Sequence, residues 1–159
     1  LKYYTDDELE KLLSAASPRQ QTIIALGAFA GLRNAEMVNL RWRDIDFQNR
    51  ILEVRSDDEV TPKGKRPRSI PMHDRLIQTL MAYKSNDTNL NVFPRNDCRG
   101  PKCGINSPSN EFRVLLRQVG LKGSHHTLRH TFGTRLVKNG VPLPVVQALL
   151  GHADIESPP

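Results

Sequence analysis

Hydrophobic residues recur at helical spacing along most of the chain. Thr5 and Ser17 each precede such a stretch, and Glu8 and Gln20 follow three residues later, a spacing typical of a capping box at a helix start. The apolar run 23–30 covers nearly every side of its helix, which indicates a central core helix. The pattern predicts seven helices, which begin after Thr5 and Ser17, span about 34–40, include 76–81, follow Ser107-Pro108, span about 127–138 and begin at Pro144.

Between the third and fourth predicted helices the spacing becomes alternating, as in strands. The predicted strands are 44–47, 51–54 and 67–71, with turns at 48–50 and 61–66. Residues 84–106 are rich in Asn, Asp, Pro and Gly, which predicts a long exposed loop. The expected fold is therefore α+β and mainly helical, with a small three-stranded antiparallel sheet.

Composition narrows the class of protein. The length of 159 residues suits one domain, and a hydrophobic fraction of 38% is enough for one core. The net charge of +6 is compatible with an anionic partner. No apolar run approaches the ~18 residues that a membrane-spanning helix needs, and no signal peptide begins the sequence. With only two cysteines the chain suits a reducing cytosol, which predicts a cytoplasmic protein without a membrane partner.

Basic residues near predicted helix starts are candidates for binding an anion. His126 and Arg129 lie three residues apart, so a helix places them on one face, where an imidazole and a forked guanidinium suit a phosphate group. Arg33 lies at the start of the third predicted helix, an end whose dipole favours anions. It is therefore either simply exposed or shares that end with a bound phosphate, and Glu36 could orient its guanidinium.

The basic turn and the end of the last predicted helix add further candidates. Lys63 lies at the tip of the turn, and a basic tip can be solvated, protect a strand edge or contact a nucleic-acid groove. The other basic residues around it are Lys65, Arg66 and Arg68. His152 follows Gly151, where a histidine commonly caps a helix. Together, arginines, histidines and a lysine at element boundaries suit holding a phosphodiester during displacement of one ester oxygen.

Four segments of the chain resemble the tyrosine recombinase family, the phage-integrase type of site-specific recombinase. These segments are Ala30-Gly31-Leu32-Arg33-Asn34-Ala35-Glu36, then Thr61-Pro62-Lys63-Gly64 with Arg68-Ser69-Ile70-Pro71, then His126-Thr127-Leu128-Arg129-His130-Thr131, and Leu149-Leu150-Gly151-His152. They occur in the family's order and with its approximate spacing across nearly the whole chain. The resemblance implies the fold of that family's catalytic domain.

The resemblance also implies a catalytic role for five residues. Arg33 and Arg129 are similar to the two arginines that clamp the non-bridging oxygens of the scissile phosphate. Lys63 resembles the hairpin lysine that protonates the leaving 5′ oxygen. His126 resembles the acid/base residue of the family, and His152 the second histidine that hydrogen-bonds the phosphate.

The remaining implications concern supporting residues and partners. Glu36 matches the acidic residue that supports the first arginine. The other basic residues of the hairpin, which are predicted to bind DNA, are Lys65, Arg66 and Arg68. The family's chemistry uses no metal or cofactor, which agrees with the lack of an acidic cluster suited to Mg²⁺. Its partner is double-stranded DNA, on which the full-length proteins generally act as tetramers.

The nucleophile is the one departure from the family pattern. The family carries a tyrosine shortly after the histidine that aligns with His152, whereas residues 153–159 contain none. We therefore expect residues 1–159 to be a single catalytic domain that is cut before the nucleophile, lacks the N-terminal DNA-clamping domain and is inactive alone. For the full-length protein, of bacterial or phage origin, the resemblance implies DNA recombination or integration through a 3′-phosphotyrosine link.

Other functions stay open from the sequence alone. A DNA-binding module that kept the phosphate clamp and lost catalysis would explain the missing tyrosine. A metal-free nuclease would use His126 and Lys63 as acid and base, with water as the nucleophile. A zinc site is disfavoured, because the cysteines lie in a loop and the histidines lack paired spacing. Its ligands would come from His125, His126, His130, Cys98 and Cys103.

Overall fold

The structure, a computed structural model, describes residues 2–55, 67–84, 90–94 and 107–151. Its helices are α1 (Asp6–Ala15), α2 (Pro18–Ala30), α3 (Asn34–Asn39), α4 (Asp74–Lys84), α5 (Pro108–Val119), α6 (His125–Lys138) and α7 (Leu143–Leu150). Its strands are β1 (Ile45–Asp46), β2 (Ile51–Val54) and β3 (Arg68–Pro71), which form an antiparallel sheet in that order. The α+β, mainly helical fold that the sequence predicts is confirmed.

Helix α2 is the centre of the fold. Every residue from Thr22 to Ala30 is buried, and α1, α4, α5 and α6 pack around the helix. A capping box starts it, because Ser17 N–H donates to Gln20 Oε1 at 2.9 Å and Gln20 N–H donates to Ser17 Oγ at 3.2 Å. Gly31 ends it with a φ of +68°, a left-handed conformation that glycine adopts without strain. The chain therefore turns sharply at this point, keeps Leu32 in the core and begins α3 three residues after Gly31.

The sheet places apolar side chains on one face. Leu52 in β2 lies opposite Ile45 in β1 and Ile70 in β3, and all three side chains are buried. The predicted first strand, 44–47, is too long. Asp44 belongs instead to a 3₁₀ turn (Trp42–Asp44), where its carboxylate accepts the Arg41 N–H at 3.0 Å. This side-chain bond to the backbone competes with strand pairing and delays β1 by one residue.

Two helix starts differ slightly from the prediction. Helix α6 begins at His125 rather than near Thr127, because Ser124 occupies the N-cap position and its N–H donates to Thr127 Oγ1 at 3.0 Å. His126 therefore lies inside the first turn of the helix. Helix α7 begins one residue before Pro144, which occupies the first turn, where its missing N–H leaves no bond unmade.

The exposed loop predicted for 84–106 is wrong for most of the described residues 90–94, of which only Leu90 is exposed. Val92 and Phe93 are buried, and Val92 N–H donates to Leu40 O at 3.0 Å. The Trp42 N–H donates to Leu90 O at 3.0 Å, so this segment lies along the chain between α3 and β1. None of the helices in the described ranges is both long and apolar enough to cross a membrane.

Candidate functional site

The structure describes five of the nine residues that the sequence predicted for the site. These five are Arg33, Glu36, Arg68, His126 and Arg129. The predictions for Lys63, Lys65, Arg66 and His152 lie outside the described residues. The site is built where the end of α2, the start of α3, the start of β3, the first turns of α6 and the end of α7 meet.

Glu36 is the acceptor around which the arginines are arranged. Its Oε1 accepts the Arg33 N–H at 2.8 Å and Arg68 Nη2 at 2.8 Å, and its Oε2 accepts Arg68 Nη1 at 2.6 Å. Burial raises the pKa of the Glu36 carboxyl, but hydrogen bonds and charge from Arg68, with smaller contributions from Arg33, outweigh burial and leave the pKa below its ordinary value. Glu36 is therefore a carboxylate at neutral pH, and Arg68 is its tightest side-chain partner.

The side chain of Arg68 lies largely inside the protein, although its place in the basic hairpin predicts DNA contact. It begins β3 two residues before the buried Ile70, and strand alternation directs both side chains to the same face. Its Nε donates to Leu149 O at 2.7 Å, and its side chain is only 7% exposed. The DNA contact predicted for Arg68 stays a prediction, although the protein itself supplies acceptors for all three of its side-chain nitrogens.

Arg33 occupies the N-cap position of α3 with an extended backbone. Its side chain is 23% exposed, and its Nη1 lies 3.5 Å from Glu36 Oε2. Within the described residues this buried Nη1 makes no hydrogen bond. Arg33 thus keeps a hydrogen-bond donor available at Nη1, whereas the side-chain nitrogens of Arg68 already donate to protein acceptors.

Arg129 fastens the two ends of the site together. Its Nε donates to Gly31 O at 2.8 Å, just after α2, and its Nη2 donates to Leu150 O at 2.8 Å, at the end of α7. Burial lowers the pKa of Arg129 to about 10, and the positive charge of Arg33 adds to the effect. The guanidinium is still charged at neutral pH, with three of its five N–H donors outside these two bonds.

Gly151 brings the C-terminal end of α7 against two of these arginines. Its φ is +77°, and a Cβ placed on it would lie 2.6 Å from Arg68 Nη1 and 3.1 Å from Arg33 Nη1. A side chain at this position would displace the guanidinium groups. The carbonyls of Leu149 and Leu150 also form the negative end of the α7 dipole, where cations are favourable.

Two adjacent histidines begin α6, and they differ in their exposure to solvent. His126 is exposed and lies three residues before Arg129, on the same face. His125, which sequence reasoning considered only as a zinc ligand, is buried, and its Nε2 lies 2.7 Å from Leu32 O. Because a carbonyl only accepts, Nε2 carries the proton, and burial holds the pKa of His125 below its ordinary value.

The described part of the site has an excess of positive charge. Arg33 and Arg68 pair with the carboxylate of Glu36, and Arg129 lies within electrostatic reach of it, so three positive charges are set against one negative charge. Such an arrangement suits an anion whose paired oxygens can accept hydrogen bonds from guanidinium groups. Among the described residues no group of three His, Cys, Asp or Glu side chains could hold a metal ion, and both cysteines lie outside those residues.

Residues 2–157 match the model of the phage integrase family. A tyrosine recombinase of Thermosipho africanus is 34% identical over 98% of this chain and 54% of its own length. The tyrosine recombinase XerA of Pyrococcus furiosus is 30% identical, with 98% and 55% covered. The crystal structure of a XerA recombinase superposes with a TM-score of 0.79 at 29% identity, covering 97% of this chain and 56% of that one. The chain thus spans about half the length of these relatives.

Proposed function

The chain belongs to the phage integrase family, and we propose that it is the part of a site-specific DNA recombinase that activates the scissile phosphate. One observation carries this proposal. Arg33 and Arg129 lie with Arg68 around one carboxylate, so two positive charges are in excess at the end of α7. A phosphodiester carries one negative charge and gains another as phosphorus becomes five-coordinate. The charge of the site therefore suits the transition state better than the substrate.

The proposed reaction is a transesterification at phosphorus. A tyrosine oxygen forms a bond to phosphorus, the bond from phosphorus to the 5′ oxygen breaks, and the 3′ end stays linked to the protein as a phosphotyrosine. The free donors of Arg33 and Arg129 would hold the non-bridging oxygens, with His152 as a further donor. His126 would take the tyrosine proton, and Lys63 would give a proton to the leaving 5′ oxygen.

The rest of the activity requires parts outside residues 1–159. We place the nucleophilic tyrosine, which the chain lacks after Gly151, in sequence beyond Pro159 of the complete gene product. The proposed substrate is double-stranded DNA, with Lys65 and Arg66 contacting its backbone. The proposed assembly on DNA is a tetramer, and the proposed location is the cytoplasm, since the substrate is DNA and the relatives come from a bacterium and an archaeon.

Covalent trapping tests the proposal without knowledge of the target site. The complete gene product is incubated with fragmented genomic DNA, denatured in detergent and passed through a protein-binding filter. We expect retained DNA whose 3′ ends carry protein. Arg129→Lys should lower retention by about 100-fold, because an ammonium cannot reproduce the fork that holds two phosphate oxygens.

The same assay distinguishes the other functions. Cleavage with free 3′ ends and no retained DNA would indicate a nuclease that uses water. Tight, salt-dependent binding without any cleavage would indicate a DNA-binding module. Either result would overturn the recombinase proposal. Arg19→Lys is the matched control, because Arg19 pairs with Glu111 at 2.7 Å near the opposite end of α2 and should leave retention unchanged.

A further inference from the structure

Arg68 differs from the other two arginines of the site because all three of its side-chain nitrogens donate to acceptors within the protein. Nη1 and Nη2 donate to the two oxygens of Glu36 at 2.6 and 2.8 Å, and Nε donates to Leu149 O at 2.7 Å. Its side chain is 7% exposed, whereas that of Arg33 is 23% exposed. The planar fork of the guanidinium therefore faces protein acceptors rather than an incoming phosphate.

We infer that Arg68 is a positioning residue for the reaction proposed above, on which this inference rests. It sets the direction of the Arg33 guanidinium through Glu36, and it sets the end of α7 through Leu149. It contacts neither the phosphate nor the DNA backbone. The strands β2 and β3 thus contribute to the site through Arg68.

The first connection runs through Glu36. This carboxylate holds the Arg33 N–H at 2.8 Å, yet its Oε2 stays 3.5 Å from Arg33 Nη1 because Arg68 occupies both carboxylate oxygens. Without Arg68, Glu36 would have no competing guanidinium and would draw Arg33 into a close ion pair. That movement would turn the free Nη1 of Arg33 away from the phosphate.

The second connection runs through the end of α7. Arg68 lies opposite Val54 in the β2–β3 ladder, so its bond to Leu149 O ties the sheet to the last turn of α7. Arg129 holds the next carbonyl, Leu150 O, from the other side. Between them Gly151 leaves no room for a Cβ beside Arg68 Nη1. Arg68 and Arg129 thus hold the end of α7 and Gly151 in place.

The informative substitution is Arg68→Lys, which keeps the charge and removes the fork. A single ammonium cannot reach both Glu36 oxygens and Leu149 O in one plane. Arg19→Lys is the matched control, since Arg19 also pairs with a carboxylate at 2.7 Å and its side chain is 28% exposed. Arg19 lies roughly 18 Å from the site end of α2, at 1.5 Å per residue.

The first measurement is DNA affinity. The 159-residue chain and its variants are titrated onto a random duplex over a series of salt concentrations. We expect Arg68→Lys and Arg68→Gln to keep the salt dependence of wild type. If Arg68 contacted a phosphate, Arg68→Gln would lower the slope of log affinity against log salt by about one, and this result would overturn the inference.

The second measurement is the rate of covalent adduct formation by the complete gene product, on DNA recovered from the trapping assay. Arg68→Lys should lower the rate at saturating DNA by about 10- to 100-fold, as expected for a misplaced catalytic group, without changing the half-saturating DNA concentration. A purely structural defect would lower the melting temperature and the active fraction instead. Arg19→Lys should change neither kinetic quantity, and an Arg68→Lys rate equal to wild type would refute the positioning role.

The third measurement separates failure of this inference from failure of the proposed function. Nitrogen-15 spectra of the arginine side chains in the 159-residue chain report the surroundings of Arg33 Nε and Arg129 Nε. We expect both signals to move in Arg68→Lys and to stay in place in Arg19→Lys. If wild type forms no adduct, the proposed reaction fails while these spectra still test the positioning. Unmoved signals of Arg33 and Arg129 would contradict it, whatever the activity.

Discussion

Two arginine–carboxylate pairs of equal length lie in opposite surroundings in this chain. At the candidate site, Arg68 and Glu36 approach to 2.6 Å, with 7% and 11% of their side chains exposed. On the surface beside α1, Arg135 and Asp6 also approach to 2.6 Å, with 34% and 86% exposed. Equal distances therefore conceal a large difference in access to water.

The surface pair belongs to a cluster around Phe29. The Arg135 guanidinium lies 5.3 Å from the Phe29 ring centre, Arg75 lies 5.7 Å from it, and His73 stacks on the ring at 5.3 Å. Water and salt screen the exposed charges of this cluster, so each is largely independent of its partner. At the site the charges are desolvated, and loss of the Glu36 carboxylate would leave the arginines without a nearby counter-charge among the described residues. The comparison indicates that burial, rather than distance, determines how strongly an ion pair affects the stability of the chain.

Removal of the Glu36 charge is expected to give the largest loss of stability. Glu36→Gln would leave three guanidinium groups facing one another without a counter-charge. We expect the free energy of unfolding to fall by about 3–5 kcal/mol, the range for breaking a buried ion pair. Urea denaturation of the 159-residue chain measures this loss. A loss below about 1 kcal/mol, as for an exposed pair, would show that the site is as well solvated as the surface.

Acid tests the same pair without a substitution. The pKa of Glu36 is lower in the folded chain than its ordinary value of 4.5, so the unfolded chain binds more protons in that window. The stabilisation from Glu36 is therefore present above pH 4.5 and is lost as the pH falls through the folded pKa. Glu36→Gln should show a smaller loss of stability than wild type over this range, and identical acid profiles would contradict the assignment.

Gly151→Ala is expected to have the next largest effect. Both Gly151 and Gly120 end helices with φ near +77°, but a Cβ on Gly120 would meet no atom within 4 Å. Gly120→Ala therefore measures the backbone strain alone, about 1–2 kcal/mol. Gly151→Ala should destabilise the chain by about 1–3 kcal/mol more, because it also displaces the buried Arg68. If thermal melts show the same loss of stability for both variants, the guanidinium groups move aside at no energetic cost.

The sequence predicts most of the fold because its local signals agree with the packing. Capping boxes at Thr5 and Ser17, the glycines that end α2 and α5, and the apolar run 23–30 each specify a boundary or a buried face. The predictions fail where a side chain or a segment distant in sequence binds the backbone. Asp44 diverts the chain into a 3₁₀ turn, and Leu40 pairs with Val92 in a segment that composition assigns to solvent.

The candidate site is less predictable because its partners are distant in sequence. Motif spacing identifies Arg33 and Arg129, but no local pattern shows that Glu36 binds Arg68, which lies 32 residues away. One signal was present: Arg68 shares a strand face with Ile70, and that face points into the core. Alternation therefore predicts an inward arginine that needs a buried acceptor, whereas net charge predicts a surface contact.

His125 offers a weaker test of the same contrast between buried and exposed groups. Its folded pKa lies below its ordinary value of 6.5, so the unfolded chain binds more protons and stability falls as the pH drops below 6.5. One such group contributes at most about 1.4 kcal/mol per pH unit. The glutamine of His125→Gln can still donate to Leu32 O. This variant should show a smaller fall in melting temperature than wild type between pH 6.5 and 5.5. His130→Gln should change the pH dependence of the melting temperature less, because His130 is exposed, although its pKa is also lowered.

The smallest effect is expected for the surface pair itself. A double-mutant cycle with Asp6→Asn and Arg135→Gln isolates the coupling between the two charges from other consequences of each substitution. We expect a coupling of about 0.5 kcal/mol in low salt that shrinks in 0.5 M NaCl, because Asp6 is 86% exposed and the counter-ions screen it. The matching cycle with Glu36→Gln and Arg68→Gln should give a coupling several times larger that salt barely changes. If the two coupling energies agree in size and in salt dependence, burial does not distinguish the pairs. The argument that Arg68 and Glu36 form a strongly coupled pair at the site then fails.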